Sequence, residues 1–156
     1  MAAKITRVSA QEILALRGNL CLEVTVETDN GGIGVSTPEV GISTGTYEAK
    51  MLLDGGDRYG GMGVRKAADV INKKIGPEII GADVTDQRGI DMRMIEMDGT
   101  SDKHKLGANS IVGVSLAVVQ AAASSAGLEL YRYLGGPNAS TMPIPIIGIG
   151  QGGRYR

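Results

Sequence analysis

The stretch from Leu20 to Asp29 reads LCLEVTVETD and is followed at once by Asn30-Gly31. Leucine and valine occupy every second position from Leu20 to Val26, and mainly polar residues stand between them. A period of two predicts a strand with one buried face. Asn-Gly is the dipeptide that best tolerates the positive φ of a tight hairpin, so we expect the returning strand over Ile33 to Ser36.

The sequence before this hairpin predicts another strand, and the sequence after it predicts helices. β-Branched side chains are frequent between Ile5 and Leu14 and predict a further strand. Apolar residues at helical spacing from Val64 to Ile75 predict a first helix, which we expect Gly76-Pro77 to end. Strands first and helices later indicate an α+β fold: a three-stranded antiparallel meander followed by a helical layer.

Two more helices are expected in the second half of the chain. A weaker one should run from about Thr85 or Asp86 to Met97. The next, from Ala108 to Ala126, is apolar on nearly every side and predicts a central buried helix with Gly127 as its C-cap. A short turn over Leu130 to Leu134 then leads into a glycine- and proline-rich linker.

Composition narrows the class of protein. The chain has 156 residues, 16 Lys and Arg against 17 Asp and Glu, and one cysteine, Cys21. The length fits one domain, and the balanced charge provides no field that would attract nucleic acid or a membrane surface. The longest apolar stretch, Ile111 to Ala123, is shorter than the ~20 residues of a membrane span. A lone cysteine and an opening without an apolar leader lead us to expect a cytoplasmic protein without nucleic-acid or membrane partners.

Several motifs are weak when read alone. Gly148 to Gly153 fits G-x-G-x-x-G, but too few residues follow to form the helix that a dinucleotide site needs. The glycine-rich segment Asp54–Gly63 precedes a helix and could bind an anion there, yet its own aspartates favour a flexible connector. We expect His104 to be a solvated loop residue, and the acidic residues between Asp83 and Asp102 to form a solvated face.

The segment from Pro38 to Ala49 is rich in Gly, Ser and Thr. Small residues permit large backbone changes, and hydroxyls can ligate Mg²⁺ or contact phosphate. This composition suits a mobile lid, although a plain surface loop is the simpler interpretation of these residues alone.

The stretch STGTYEA, from Ser43 to Ala49, resembles the mobile active-site loop of the enolase family. Other family motifs follow the same order along the chain. Arg17-Gly18-Asn19 and Leu22-Glu23-Val24 resemble the opening strands, and Lys105–Ala117 is similar to the family's K-F-G-A-N-A-I-L-G-V-S-L-A helix. Met142–Pro145 resembles its L-P-V-P crossover, so the resemblance extends over essentially the whole chain.

This resemblance implies a capping domain over residues 1–141, with residues 142–156 forming a linker and the first strand of a β/α barrel that is absent here. Enolases dehydrate 2-phosphoglycerate to phosphoenolpyruvate with Mg²⁺ in glycolysis, and their general base, catalytic glutamates and first-metal carboxylates lie in the barrel. The resemblance therefore implies no catalytic residue in this chain. We expect no turnover from the chain alone, and hydro-lyase activity only when it is joined to a barrel domain or subunit.

Some residues match family positions directly. Ser43 matches the loop serine that ligates a second Mg²⁺ when the loop closes, with Thr44 and Gly45 beside it in the substrate loop. Arg17 and Glu23 match residues that form salt bridges across the family's dimer interface, which implies a homodimer for the complete protein.

Two departures from the family motifs keep other hypotheses open. The segment Pro38–Gly45 is one residue longer than the family's P-S-G-A-S-T-G and contains Glu39 and Val40, and Tyr155 stands where the family has an active-site histidine. One alternative is a non-catalytic interaction subunit derived from enolase, which would bind through Met142–Arg156 and the edge of the meander. Another is part of a paralogue that acts on a different acid.

Overall fold

A computed structural model describes residues 3–15, 18–39, 41 and 45–147 of the chain. It contains three strands: β1 (Ile5–Leu14), β2 (Leu20–Thr28) and β3 (Ile33–Ser36). The helices are α1 (Arg65–Val70), a π-helical segment (Ile71–Ile75), α2 (Gly76–Ile79), α3 (Gln87–Asp98), α4 (Ala108–Ser125) and α5 (Leu130–Gly135), with short 3₁₀ turns at Arg58–Gly61 and Gly136–Asn138.

The sheet is the predicted antiparallel meander, with strand order β1-β2-β3. Val8 pairs with Val26, and Val26 in turn pairs with Gly34. The hairpin between β2 and β3 turns at Asn30-Gly31, where Gly31 has φ +86°, as the Asn-Gly signal predicts. Strands followed by helices confirm the α+β class.

The hydrophobic core lies between the sheet and the helices. Its buried members are aliphatic side chains and Met94, with Met97 and Tyr133 partly buried beside them. The apolar positions of β2 are buried while Glu23, Thr25 and Glu27 remain partly accessible, which confirms the period of two. The largest fully buried side chains are Ile5, Leu22, Ile71, Ile75, Ile79, Met94, Val24, Val26, Val64, Val84, Val114 and Val118.

The prediction that Gly76-Pro77 ends the first helix is wrong, because the chain stays helical to Ile79. The amide of Gly76 donates to the carbonyl of Ile71, five residues back, so the hydrogen-bond pattern changes just before the proline. Pro77 then lies in the first turn of α2, where a missing N–H is tolerated. A Cβ at Gly76 would lie 3.3 Å from Cβ of Val8, so this glycine permits close packing on β1.

The other helix ends agree more closely with the sequence. Asp86 caps α3 by accepting a hydrogen bond from the amide of Gly89 at 3.0 Å, and Gly99 ends the helix with φ +65°. The C-cap residue of α4 is Ala126, and Gly127, the predicted C-cap, follows it with φ +66°. The turn expected over Leu130 to Leu134 is the short helix α5.

Helix α4 is central but not buried on every side. Nine of its residues are buried, whereas Val112 and Leu116 are 47% and 45% exposed. The prediction of a central buried helix is therefore correct for the side that faces the core, and wrong for the side that contains Val112 and Leu116. Length and composition alone would allow α4 to cross a membrane, but half of it is buried in the core, as in the core helix of a globular protein, so this evidence for a span is weak.

Asp98 corrects the prediction of a solvated acidic face. Its side chain is fully buried and accepts hydrogen bonds from the amides of Thr100 at 3.0 Å and Leu106 at 2.7 Å, and from the Thr100 hydroxyl. Burial acts to raise the pKa of Asp98, but these donors outweigh it and the pKa is lowered. Asp98 thus holds the turn between α3 and α4.

Candidate functional site

The predicted site residues fall partly outside the described part of the chain. Ser43 and Thr44 of the substrate loop lie outside the described residues, as does Arg17 of the predicted dimer interface. The segment from Gly148 onward, which includes Tyr155, lies outside them too. Gly45 and Glu23 are described, and so are the two ends of the Pro38–Ala49 segment.

The first end of this segment is held by Ser36, the last residue of β3. Its buried hydroxyl donates to the carbonyl of Gly113 in α4 at 2.6 Å. Two residues later, Pro38 packs on the same place, because a Cβ on Gly113 would lie 3.1 Å from Cγ of Pro38. The segment therefore leaves the sheet directly over α4.

The second end is held by Asn109, in the first turn of α4. Its Oδ1 accepts from the amide of Leu52 at 2.9 Å, and its Nδ2 donates to the carbonyl of Leu52 at 3.1 Å. The amide of Ala108 adds a hydrogen bond to the carbonyl of Lys50 at 2.8 Å. Gly107 permits this approach, because with φ +87° its Cβ would lie 2.4 Å from Cβ of Leu52.

Between the two ends, residues Gly45 to Glu48 form a turn. The amide of Gly45 donates to Oε2 of Glu48 at 2.9 Å, and the amide of Glu48 donates to the carbonyl of Gly45 at 3.2 Å. Tyr47, within this turn, is fully exposed. Gly45, predicted in the substrate loop, thus lies at a turn closed by a neighbouring carboxylate.

A shallow cavity of about 300 Å³ lies between this segment and α4. Its lining includes Pro38, Glu39, Glu48, Met51 and Val112. The surface is mainly apolar with two carboxylates. In the described ranges no group of three or more His, Cys, Asp or Glu residues is placed to hold a metal ion, so the described residues do not fit a Mg²⁺ site by themselves.

The glycine-rich segment before α1 contains a charged cluster that sequence reasoning missed. The carboxylate of Glu12 in β1, whose side chain is 9% exposed, accepts from Nη1 of Arg58 at 3.0 Å and from the amide of Val64 at 2.8 Å. Its Oε1 pairs with Nη2 of Arg58. The hydrogen bond from Arg58 lowers the pKa of Glu12, against the opposing effect of burial.

The carboxylates of Glu12 and Asp54 decide whether the Asp54–Gly63 segment is an anion site or a connector. Asp54 accepts from the amides of Arg65 at 3.2 Å and Lys66 at 2.8 Å, at the first turn of α1. The carboxylates of Asp54 and Glu12 therefore already accept the free amides at the N-terminus of α1. Their negative charge excludes an anion-binding site there. The segment is a connector, as predicted, but ion pairs to Asp54 and Glu12 hold it in place.

Glu23 lies on the polar face of the sheet. It accepts from Nε2 of Gln11 at 2.7 Å, and Arg7 and Glu27 form a second cross-strand pair at 3.0 Å on the same two strands. These side chains line a hollow of about 310 Å³. The hollow leaves the carboxylate of Glu23 within reach of an approaching molecule.

The described part of the tail is apolar and exposed. Met142, Ile144, Ile146 and Ile147 are 77–99% exposed, and residues 139–147 form neither helix nor strand. A contiguous exposed apolar segment of this kind is typical of a surface that another domain or chain covers.

Taken together, these features define an α+β domain: a three-stranded antiparallel meander packed against helices, with Ser36 and Leu52 bonded to α4 on either side of the Pro38–Ala49 segment and an exposed apolar tail from Met142 to Ile147. The family model described as enolase, N-terminal domain, matches residues 5–134. The chain therefore belongs to the enolase family.

Individual relatives agree with this assignment. The chain is 55% identical over 155 residues to a protein named enolase from Methanothrix thermoacetophila, and 52% identical over 153 residues to one from Acidothermus cellulolyticus. It is 52% identical over 152 residues to an enolase from Methanopyrus kandleri. These matches cover 97–99% of the chain but only 36–37% of each relative, so the chain spans little more than a third of their length.

Proposed function

We propose that this chain is the capping domain of an enolase-type hydro-lyase that converts 2-phosphoglycerate to phosphoenolpyruvate once a barrel domain is present. The observation that carries the proposal is the 52–55% identity over nearly the whole chain to proteins named enolase. Since the chain spans 36–37% of their length, the remainder of the enzyme is the part that would contain the barrel.

The chemistry is divided between the two parts. In the complete enzyme, Mg²⁺ would stabilise the negative charge that develops on the substrate carboxylate as the α-proton leaves. The barrel would supply the proton-abstracting base and the carboxylates for the first metal ion. This chain would contribute Ser43, Thr44 and Gly45, with Ser43 as a ligand of a second Mg²⁺.

The exposed tail supports a boundary near residue 141. Residues 1–141 would form the cap, and residues 142–156 the linker and first barrel strand. Burying an isoleucine side chain stabilises a protein by about 1.5–3 kcal/mol, so a barrel packed on Ile144, Ile146 and Ile147 would gain substantially.

We propose that the complete protein forms a homodimer through the polar sheet face. The accessible carboxylate of Glu23 supports this, because it can exchange its contact with Gln11 for a cation on a partner. Arg17 would serve the same interface. The balanced charge and single buried cysteine suit a cytoplasmic location.

A fusion tests this proposal. The chain is joined to the C-terminal portion of the Methanothrix enolase that lies beyond the matched region, and phosphoenolpyruvate formation is measured with Mg²⁺. We expect activity from the fusion, loss of at least about tenfold on Ser43→Ala since a metal ligand is removed, and no such loss on Ser101→Ala, an exposed serine elsewhere. A folded fusion without activity, beside an active Methanothrix enzyme, would contradict the proposal.

The exposed tail also favours the second hypothesis, a non-catalytic subunit that docks on another protein. Co-purification from the source cells distinguishes the two. A barrel-type partner in equal amount supports the enzyme, and an unrelated partner in equal amount supports the interaction subunit.

A further inference from the structure

The two ends of the Pro38–Ala49 segment are attached to α4 within a single helical turn. Ser36 bonds to Gly113, and Leu52 bonds to Asn109. Residues 109 and 113 are four apart in α4, so they lie on the same face and about 6 Å apart along the axis. One short piece of α4 therefore fixes where the whole segment begins and ends.

The attachment at Asn109 has a specific chemistry. An asparagine amide has one acceptor and one donor group, which match a backbone N–H and C=O as another extended strand would. Asn109 makes both bonds to the same residue, Leu52, and is itself buried. Since Leu52 lies in a stretch without helix or strand, the Asn109 side chain takes the place of a strand neighbour there.

We infer that Asn109 is a positioning residue for the reaction: by holding Leu52 it fixes the described end of the segment that contains Gly45. This inference rests on the proposed function for its effect on catalysis. Ser36 would do the same for the other end of the segment. Neither residue is among those that the family resemblance assigns to the site.

The chain contains a matched control for Asn109. Asn72 makes the same pair of bonds to another backbone residue, accepting from the amide of Ala10 at 2.8 Å and donating to its carbonyl at 2.8 Å. It lies in the π-helical segment against β1 and is more exposed than Asn109. Asn72→Ala therefore removes the same chemistry from a different place.

The first experiment uses the chain itself and does not depend on activity. Amide hydrogen exchange is measured by mass spectrometry for wild type, Asn109→Ala and Asn72→Ala. We expect Asn109→Ala to raise exchange in residues 45–53 at least about tenfold with residues 5–14 unchanged, and Asn72→Ala to do the reverse. Equal exchange in residues 45–53 for both variants would overturn the inference.

The second experiment uses the fusion with the Methanothrix C-terminal portion. Asn109→Ala should raise KM and the Mg²⁺ concentration for half-maximal rate at least about fivefold, while Asn72→Ala leaves both within about twofold. If Asn109→Ala fails to fold, Ser36→Ala tests the same claim, with Ser110→Ala as its control because the Ser110 hydroxyl points instead to the carbonyl of Ala67.

The outcomes separate this inference from the proposed function. A wild-type fusion without activity counts against the proposed function, while the exchange experiment still decides whether Asn109 holds the segment. An active fusion in which Asn109→Ala or Ser36→Ala behaves like its control overturns the inference and leaves the proposed function standing.

Discussion

The guanidinium of Arg58 forms an ion pair with the partly buried carboxylate of Glu12, which lies 46 residues earlier in the sequence. The same carboxylate accepts the amide of Val64, at the N-terminus of α1. One side chain thus joins the first strand, the glycine-rich connector and the first helix. Its removal should therefore affect the stability of the whole fold.

We therefore expect Glu12→Gln to destabilise the chain by about 2 kcal/mol, because an amide cannot satisfy the guanidinium and the buried amide of Val64 as a carboxylate does. Urea unfolding followed by circular dichroism gives the free energy. Glu27→Gln is the control, because Glu27 forms a solvent-exposed ion pair with Arg7. This substitution should change the free energy of unfolding by less than about 0.5 kcal/mol. Equal effects of the two substitutions would show that the Glu12 cluster has no special role.

The same cluster predicts how stability depends on pH. The hydrogen bond from Arg58 lowers the pKa of Glu12 below its ordinary value of 4.5, against the effect of burial, so the unfolded chain binds this proton more readily. The stabilisation is complete above the unfolded pKa and is lost as the pH falls through the folded one. The stability difference between wild type and Glu12→Gln should shrink as the pH falls below the unfolded value of 4.5; a difference that stays constant there contradicts this assignment. Asp98, whose pKa is also lowered, leaves some acid sensitivity in both proteins.

Strand β3 and helix α4 pack so closely at Gly34 that a side chain added there should destabilise the fold. A Cβ on Gly34 would lie 2.0 Å from the carbonyl oxygen of Ala117 and 2.3 Å from the amide nitrogen of Ala121, both backbone atoms. We expect Gly34→Ala to destabilise the chain by about 3 kcal/mol, measured by thermal or urea unfolding. At Gly45 an added Cβ meets no atom of the described residues within 4 Å, so Gly45→Ala should be nearly neutral. Similar stability for both variants would mean that β3 and α4 are not packed this closely.

Cys21 should be unreactive in the folded chain. It is 2% exposed, and burial raises the pKa of its thiol, as do the charges of Glu39 and Glu23. A thiol reagent should modify the native chain at least about 100-fold more slowly than the urea-unfolded chain. Ser101→Cys, which adds an exposed thiol in the turn before α4, provides the fast reference. Reaction of native Cys21 at that reference rate would contradict its burial in the sheet.

Much of the fold could be predicted from local sequence. Alternation located β2, and Asn30-Gly31 located its hairpin, because both signals act between neighbours. Helix α3 runs from Gln87 to Asp98, close to the predicted range from about Thr85 or Asp86 to Met97. The helix end predicted at Gly76-Pro77 was wrong because a π-helical turn changes the hydrogen-bond pattern before the proline. No local pattern in the sequence predicted that turn.

Long-range contacts could not be predicted in this way. The burial of Asp98 depends on an amide eight residues away in the next connection, and the pairing of Glu12 with Arg58 depends on how the connector returns to β1. For the site, the family resemblance predicted Ser43 and Gly45 as substrate-loop residues. Asn109 stood within a quoted family motif, yet only its contact with Leu52 shows what it holds.

The most direct test of the account compares three samples in one assay of phosphoenolpyruvate formation with Mg²⁺: this chain alone, the Methanothrix C-terminal portion alone, and the two joined. We predict turnover from the joined protein and none from either part. Robust turnover by residues 1–156 alone would contradict the central claim, because the reacting groups would then have to lie within the cap.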